Sequence, residues 1–242
     1  TVGMKPILVH GGGKSITRAM EEAGLTARFV QGRRYTDDAT LDVVDRVLGY
    51  ELNTEIADRI ESLDGRSAPL NFRTTNVLYG KPIKLADADG GQLDLGWVGD
   101  VTKVDKRTIQ NLCYAGLIPV IPSLCQMEGS SQRLNVNADT AAAAVAQAMG
   151  AEKLVYLSDI PGVLRERSQP DSLINSLTAR QARELIASGV IDGGMIPKVQ
   201  ACLDVIDGGV KKVHIIDGRL RHSLLLEIFT RSGVGTEISQ DG

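Results

Sequence analysis

Residues 7–24, Ile-Leu-Val-His-Gly-Gly-Gly-Lys-Ser-Ile-Thr-Arg-Ala-Met-Glu-Glu-Ala-Gly, decide the fold. Ile7-Leu8-Val9-His10 is a short apolar run that stops at three glycines, the pattern of a strand buried in a parallel sheet. Ser15 or Thr17 suits a helix cap, Ile16, Ala19, Met20 and Ala23 recur at helical spacing, and Gly24 ends the run. Strand, glycine turn and helix make half of a βαβ unit. The turn puts backbone N–H groups, free of Cβ atoms, at the C-terminal end of a strand and the start of a helix, where open α/β sheets bind anions. Two familiar motifs fail here. A P-loop needs a glycine where Leu8 stands, and a dinucleotide fingerprint starting at Gly11 needs a small residue where Ile16 stands. The failed fingerprint argues against a nicotinamide oxidoreductase. A tight turn without a ligand is the plain alternative, and His10 reads as a packed strand residue rather than a catalyst.

Outward from this unit the alternation continues. Thr36 is expected to cap a long helix whose apolar positions, Leu41, Val44, Leu48, Leu52, Ile56, Ile60 and Leu63, recur every three or four residues up to Asp64-Gly65. Between about Leu70 and Val104 the texture changes to alternating Thr and Val, with turn pairs at Tyr79-Gly80, Asp89-Gly90-Gly91 and Gly99-Asp100, which predicts antiparallel hairpins. A helix is expected over Lys106–Ala115 and a strand over Leu117–Ile121. Thr140–Ala148 is nearly all alanine, so this helix can lie close to a sheet. Lys153–Leu157 and Val213–Ile216 read as strands; Ala179–Ser188, Met195–Ile206 and Ser223–Phe229 read as helices. Strands alternating with helices imply an α/β fold with a mainly parallel sheet covered on both faces. A soft boundary lies near Leu134, where the hairpin-bearing half ends.

With 242 residues the chain can build one large α/β domain or two fused lobes. The formal net charge is −3 and aromatic residues make up 4%, so there is neither a basic surface nor a supply of rings for stacking on bases, and nucleic acid is not an expected partner. Cys113, Cys125 and Cys202 form no CxxC pair, consistent with reduced, buried thiols. No apolar run approaches ~18 residues and no signal peptide is visible, so the expected location is the cytoplasm, with no membrane partner.

Three further stretches carry chemistry. Asn135-Val136-Asn137-Ala138-Asp139 sets two amides and a carboxylate at alternating positions, which share one side if the segment is extended. Helix capping by Asn137 or Asp139 accounts for one of them but not for all three. Gly193-Gly194-Met195-Ile196-Pro197-Lys198 puts a lysine just inside a helix, at its positive end, where a cation is disfavoured unless an anion offsets it. Arg33 and Arg34 are adjacent, just before a helix cap; their side chains diverge, so at most one is expected to meet a ligand. Ser158-Asp159-Ile160-Pro161-Gly162-Val163-Leu164 follows a strand and reads either as an ordinary Pro-Gly turn or as a loop that covers an adenine or ribose. An amide, an acid and a helix-start lysine suit phosphate chemistry and point to a small-molecule kinase.

In this order these residues resemble the amino acid kinase family. The carrying strings are VHGGG at 9–13, GRRYT at 32–36, NVNADTAAAAVA at 135–146, LSDIPGVL at 157–164, GGMIPK at 193–198 and HSLLLEIFTRSGVGT at 222–236, and the similarity runs from about Ile7 to Ile238. GRRYT and the C-terminal string favour members acting on N-acetyl-L-glutamate over aspartate, carbamate, uridylate and glutamate 5-kinases. The resemblance implies a three-layer sandwich with an open, mainly parallel central sheet, residues 1–134 forming a lobe for the amino-acid substrate and 135–242 a lobe for ATP. It implies ATP-dependent phosphorylation of the γ-carboxylate of N-acetyl-L-glutamate in arginine biosynthesis, with Mg²⁺ accompanying the nucleotide.

By the same resemblance Gly12, Gly13, Arg34 and Asn135 contact the acid, with Arg33 standing where the family usually has leucine. Lys198 is the catalytic lysine and Asp139 the aspartate that organises it. The nucleotide lies along Ser158, Asp159, Ile160, Pro161, Gly162 and Val163 and near Val190, Ile191 and Asp192. A homodimer or larger homo-oligomer is implied, and 222–236 is similar to the arginine-effector string of some relatives. Members usually begin with a strand carrying a second catalytic lysine; this sequence starts almost at VHGGG, with Thr1, so a shortened or processed chain is expected, and Lys14 does not replace that lysine. The alternatives carried forward are another carboxylate kinase of the same fold, such as a glutamate 5-kinase type, and a catalytically idle regulatory member.

Overall fold

The computed structural model of the chain describes residues 3–86, 91–166, 168–230 and 232–241. It divides into two compact units, Thr1–Val145 and Ala146–Gly242. In the first, β1 (Leu8–His10) leads through the glycine turn into α1 (Gly13–Glu22), followed by the short hairpin strands β2 (Phe29–Val30) and β3 (Arg33–Arg34). Next come α2 (Asp38–Arg46), a π-helical turn (Val47–Leu52), α3 (Asn53–Glu61) and β4 (Ser67–Pro69). Strands β5 (Leu78–Pro82), β6 (Leu85–Ala86), β7 (Gln92–Leu93) and β8 (Val98–Val104) precede α4 (Lys106–Tyr114), β9 (Ile118–Pro122), β10 (Leu124–Met127), β11 (Arg133–Val136) and the alanine-rich α5 (Ala138–Met149). The division into units falls within α5, whereas the texture of the sequence shifts at Leu134.

The strand expected at the start of the chain is the edge of a parallel three-stranded sheet in the order β1-β9-β4, with Leu8 opposite Val120 and His10 opposite Pro122. Helices α1 and α2 and the π turn pack together through Ile16, Met20, Val43, Val44, Val47 and Leu48, which form one buried cluster with Leu124.

The single long helix expected over residues 37–63 is interrupted. Asp37, not Thr36, is its cap: the Asp37 carboxylate accepts from the Thr40 N–H at 2.8 Å, adding negative charge at the positive helix end. Thr36 is instead buried and bonded to neighbouring strands and turns. The π turn, with its wider i→i+5 spacing, shifts the helix face out of phase with the apolar pattern. Beyond it the buried positions are Asn53 and Ala57, while Ile56 and Ile60 are half-exposed and Leu63 is 68% exposed.

The hairpin region is antiparallel where expected, β5 with β8 and β6 with β7. The Asp89-Gly90 turn lies outside the described residues. Tyr79-Gly80 and Gly99-Asp100 are not turns but lie inside β5 and β8, with a register irregularity between Tyr79 and Gly80. Both glycines sit where backbones approach: a Cβ on Gly80 would collide with the Asp100 carbonyl, and one on Gly99 would lie 2.7 Å from Leu134 Cδ1. Two parallel pairings, β10 with β5 and β11 with β8, close these strands into a four-stranded barrel in the order β10-β11-β8-β5.

The second unit holds β12 (Lys153–Ser158), β13 (Ser176–Thr178), α6 (Ala179–Ala187), α7 (Met195–Asp207), β14 (Lys212–Asp217), α8 (Ser223–Phe229) and β15 (Thr236–Ser239). Its sheet runs β12-β14-β15-β13; β12 and β14 are parallel from Lys153 opposite Lys212 to Ser158 opposite Asp217, while β15 is antiparallel to β14. Parallel sheets with helical crossovers and antiparallel hairpins make the protein α/β, as expected.

Candidate functional site

Each unit presents the start of a helix that no side chain caps. In the first unit this is α1, with Gly12 as its N-cap residue. Neither Ser15 nor Thr17 caps it; the Thr17 hydroxyl donates to the Gly13 carbonyl at 2.9 Å. Gly12 has extended backbone, so its requirement is space: a Cβ there would lie 2.7 Å from Leu48 Cδ2 and closer still to Leu52 Cδ1. A Cβ on Gly11 would lie 2.9 Å from that of Ala138, whereas nothing crowds Gly13. The first two glycines thus let the turn pack, and the third faces open space. Among the described residues, the Gly12 and Gly13 N–H groups have no protein acceptor, as expected for the first positions of a helix.

Arg34 reaches the same helix start. It is 8% exposed, and its guanidinium donates to the Gly13 carbonyl at 3.1 Å, to Thr17 Oγ1 at 2.8 Å and to Met20 Sδ at 3.2 Å. The Phe29 ring lies 4.8 Å away. No carboxylate among the described residues pairs with it, and burial lowers its pKa. A buried cation at the positive end of a helix, without a counter-charge, is unfavourable by itself and favours an anionic ligand. Arg33 points the other way, as neighbours on a strand must, with Nη1 3.7 Å from Asp100 Oδ1.

Asn135 belongs to the same group. Its amide donates to Thr36 Oγ1 at 3.0 Å, and the Thr36 hydroxyl donates to the Arg34 carbonyl at 2.9 Å. Gly12, Gly13, Arg34 and Asn135 are therefore one connected set, and Thr36, read from the sequence as a cap, is its linker. The alternation of Asn135, Asn137 and Asp139 does not persist, because the strand ends at Val136. Asn137 caps α5 by accepting from the Thr140 N–H at 3.1 Å, and Asp139 stands exposed in the first turn.

In the second unit α7 starts at Gly194 with no side-chain cap and no acidic residue in its first turn. Lys198 lies in that turn, and its ammonium donates to Ser158 Oγ at 2.7 Å. A neutral hydroxyl does not offset the charge, and no carboxylate among the described residues pairs with this lysine. Ser158 ends β12 opposite Asp217 of β14, whose carboxyl is lowered to about 2 by its hydrogen bonds from Arg219. Parallel strand ends, a helix start and a lysine thus converge here.

The loop after Ser158 is held from below. Gly162 has φ +143, and a Cβ there would meet Thr236 Oγ1 at 2.5 Å; the same hydroxyl accepts from the Val163 N–H at 2.8 Å and donates to the Ile174 carbonyl at 2.7 Å. Val163 and Ile191 are buried in the core, whereas Asp159, Val190 and Asp192 are exposed, and Ile160 and Pro161 half-exposed. Sequence reasoning missed Thr236 and the Asp217–Arg219 pair. The Asp217-Gly218-Arg219 spacing after an apolar strand was the available signal.

Among the described residues no three His, Cys, Asp or Glu side chains gather as a metal cage. Those present fit a Mg²⁺ ion only as one carried by a ligand's own phosphates and water.

A sequence profile described as the amino acid kinase family matches residues 1–217. The chain is 43% identical to the acetylglutamate kinase of Methanobrevibacter smithii, over 98% of this chain and 82% of that protein. It is 44% identical to the acetylglutamate kinase of Heliobacterium modesticaldum, over 98% of this chain and 81% of that one. Among solved structures, smu.665 from Streptococcus mutans UA159 superposes with a TM-score of 0.76 at 29% identity, covering 97% of this chain and 86% of that chain. Matched by the family profile and by relatives of this identity over nearly its whole length, the chain belongs to the amino acid kinase family.

Proposed function

We propose that the chain transfers the γ-phosphoryl group of ATP to the γ-carboxylate of N-acetyl-L-glutamate, giving N-acetylglutamyl 5-phosphate in arginine biosynthesis. The relatives named acetylglutamate kinases support the reaction. The single observation that carries the acid site is Arg34, a buried guanidinium without a carboxylate partner beside the free N–H groups of α1.

In this reading the first unit holds the acid. Arg34 pairs with its α-carboxylate, Asn135 bonds its acetamide, and the Gly12 and Gly13 N–H groups fix the γ-carboxylate. No general base is needed, because a glutamate carboxylate of pKa about 4.3 is ionised at neutral pH. Its oxygen forms the new bond to the γ-phosphorus as the bond to the β–γ bridging oxygen breaks, and ADP leaves with that electron pair. The second unit binds the nucleotide along Ser158, Asp159, Ile160, Pro161 and Gly162 and at Val190 and Asp192, with Val163 and Ile191 supporting the loops from the core. Lys198 and the start of α7 neutralise charge that builds on the transferred group. Asp139 has an organising role. When bound, Mg²⁺ on the ATP phosphates supplies further neutralisation.

No described helix is long and apolar enough to cross a membrane; a cytoplasmic enzyme, assembled as a homodimer or larger homo-oligomer and open to arginine as an effector, completes the proposal. The test measures ADP release with N-acetyl-L-glutamate, L-glutamate, L-aspartate and no acceptor. Turnover confined to the acetylated acid is the expected result; equal or better turnover with free glutamate would move the chain to the glutamate 5-kinase type, and nucleotide binding without turnover on any acid would make it an idle member.

A further inference from the structure

Behind the glycine turn lies a buried polar network that the reaction chemistry above does not use. His10, Asn53 and Asn71 are all buried, Asn53 completely. The Asn53 amide nitrogen is 3.1 Å from His10 Nε2 and donates to the Val120 carbonyl at 3.0 Å, while the Asn71 amide donates to Asn53 Oδ1 at 2.9 Å. On its other side His10 Nδ1 is 3.2 Å from the Gly11 carbonyl.

The chemistry of the partners fixes the tautomer. An amide nitrogen only donates, so His10 Nε2 accepts; the ring proton then sits on Nδ1 and points at Gly11. Burial lowers the pKa of His10, although the Gly11 bond raises it, in keeping with a neutral ring. Buried polar groups are costly unless fully satisfied, and a satisfied network specifies one arrangement. This one is reached only because the π turn rotates Asn53 inward, and the same turn brings Leu48 and Leu52 against Gly12. One irregularity in the helix therefore clamps two consecutive glycines, Gly11 by its carbonyl and Gly12 by its Cα.

We propose that His10 and Asn53, with Asn71 behind them, are positioning residues that hold the glycine turn so that the Gly12 and Gly13 N–H groups aim at the carboxylate of the acid substrate. This rests on the reading of that turn as the acid site. The network touches no reacting atom; its effect passes through the backbone of Gly11.

The decisive pair of variants is His10→Asn and His10→Gln. An asparagine amide nitrogen sits where Nδ1 sits and keeps the bond to Gly11; a glutamine reaches the Nε2 position and loses it. Calorimetric titration of the chain with N-acetyl-L-glutamate reads binding without turnover, and steady-state kinetics read the two Michaelis constants separately. His10→Gln is expected to weaken N-acetyl-L-glutamate about tenfold, the worth of one neutral hydrogen bond, with KM for ATP unchanged. His10→Asn is expected to stay within about threefold of wild type on the same reasoning. Asn53→Ser, which leaves the Nδ1 side in place but removes the amide that fixes the ring proton there, is expected to fall between the two His10 variants. Equal weakening by both His10 variants, or a parallel rise in KM for ATP, would overturn the proposal, as would unchanged binding in all three. If wild type itself fails to bind the acid, the functional reading falls instead, and the two failures are distinguishable.

Discussion

The starts of α1 and α7 share glycines and a cation without a carboxylate partner, and use them differently. The Gly12 and Gly13 N–H groups have no protein acceptor among the described residues, whereas at α7 the Met195 and Ile196 N–H groups already donate to the Asp192 and Gly193 carbonyls and Pro197 has no N–H. At α1 the first two glycines and the cation are held: Leu48, Leu52 and Ala138 press on Gly11 and Gly12, His10 grips Gly11, and Arg34 is buried with three protein acceptors. At α7 a Cβ on Gly194 would meet nothing, Gly193 has φ +50, and Lys198 is half-exposed with a single hydroxyl partner. A rigid fork in a packed turn suits one carboxylic acid of fixed shape. A flexible ammonium in an open turn suits a phosphoryl group whose charge and geometry change during transfer.

The comparison breaks most visibly at Lys198. Lys198→Ala is expected to lower kcat by roughly 10²–10³ and to leave the affinity for N-acetyl-L-glutamate near its wild-type value; initial-rate kinetics with calorimetric titration check both. The mirror-image variant, Arg34→Ala, should raise KM for the acid by about 10- to 100-fold, since a hydrogen-bonded charge is removed, with KM for ATP nearly unchanged. If both variants shift both constants, the two sites are not specialised as argued.

Stability separates the two regions next. Gly12→Ala should destabilise the protein by about 1–3 kcal/mol, because its methyl group has no room against Leu48 and Leu52. Gly194→Ala should lie within about 0.5 kcal/mol of wild type, with open space around it. Denaturant unfolding compares them, and equal losses would contradict the packed-versus-open distinction.

The smallest effect is on pH dependence. His10 binds its proton more weakly folded than unfolded because burial disfavours the imidazolium. The unfolded chain therefore takes up more protons below about pH 6.5. This group's contribution is present at neutral pH and is lost as the pH falls below that value. The melting temperature should drop on acidification from about pH 7 to pH 5.5, and His10→Asn should flatten that slope; an identical slope in the variant would remove His10 as its source.

Local sequence patterns carried much of this molecule. The glycine turn stops an apolar run and opens a helix, so β1 and α1 were legible, and α8 spans Ser223–Phe229 as its pattern suggested. Lys198 was legible as an anomaly, a cation where the helix is positive. What escaped depends on distant partners. The π turn leaves the apolar repeat intact in sequence while turning Asn53 into the core, so a periodicity argument selects Ile56 and Ile60 instead. Thr36 looks like a cap because its bonds to Arg34 and Asn135 span remote segments. Glycines in Tyr79-Gly80 and Gly99-Asp100 signal turns locally, but their role is to let barrel strands approach.

The most direct test of the division of labour is one calorimetric series: N-acetyl-L-glutamate titrated into wild type, Arg34→Ala and Lys198→Ala under identical buffer. The account predicts strong weakening in Arg34→Ala and wild-type binding in Lys198→Ala. Retained binding in Arg34→Ala, with loss in Lys198→Ala, would contradict it.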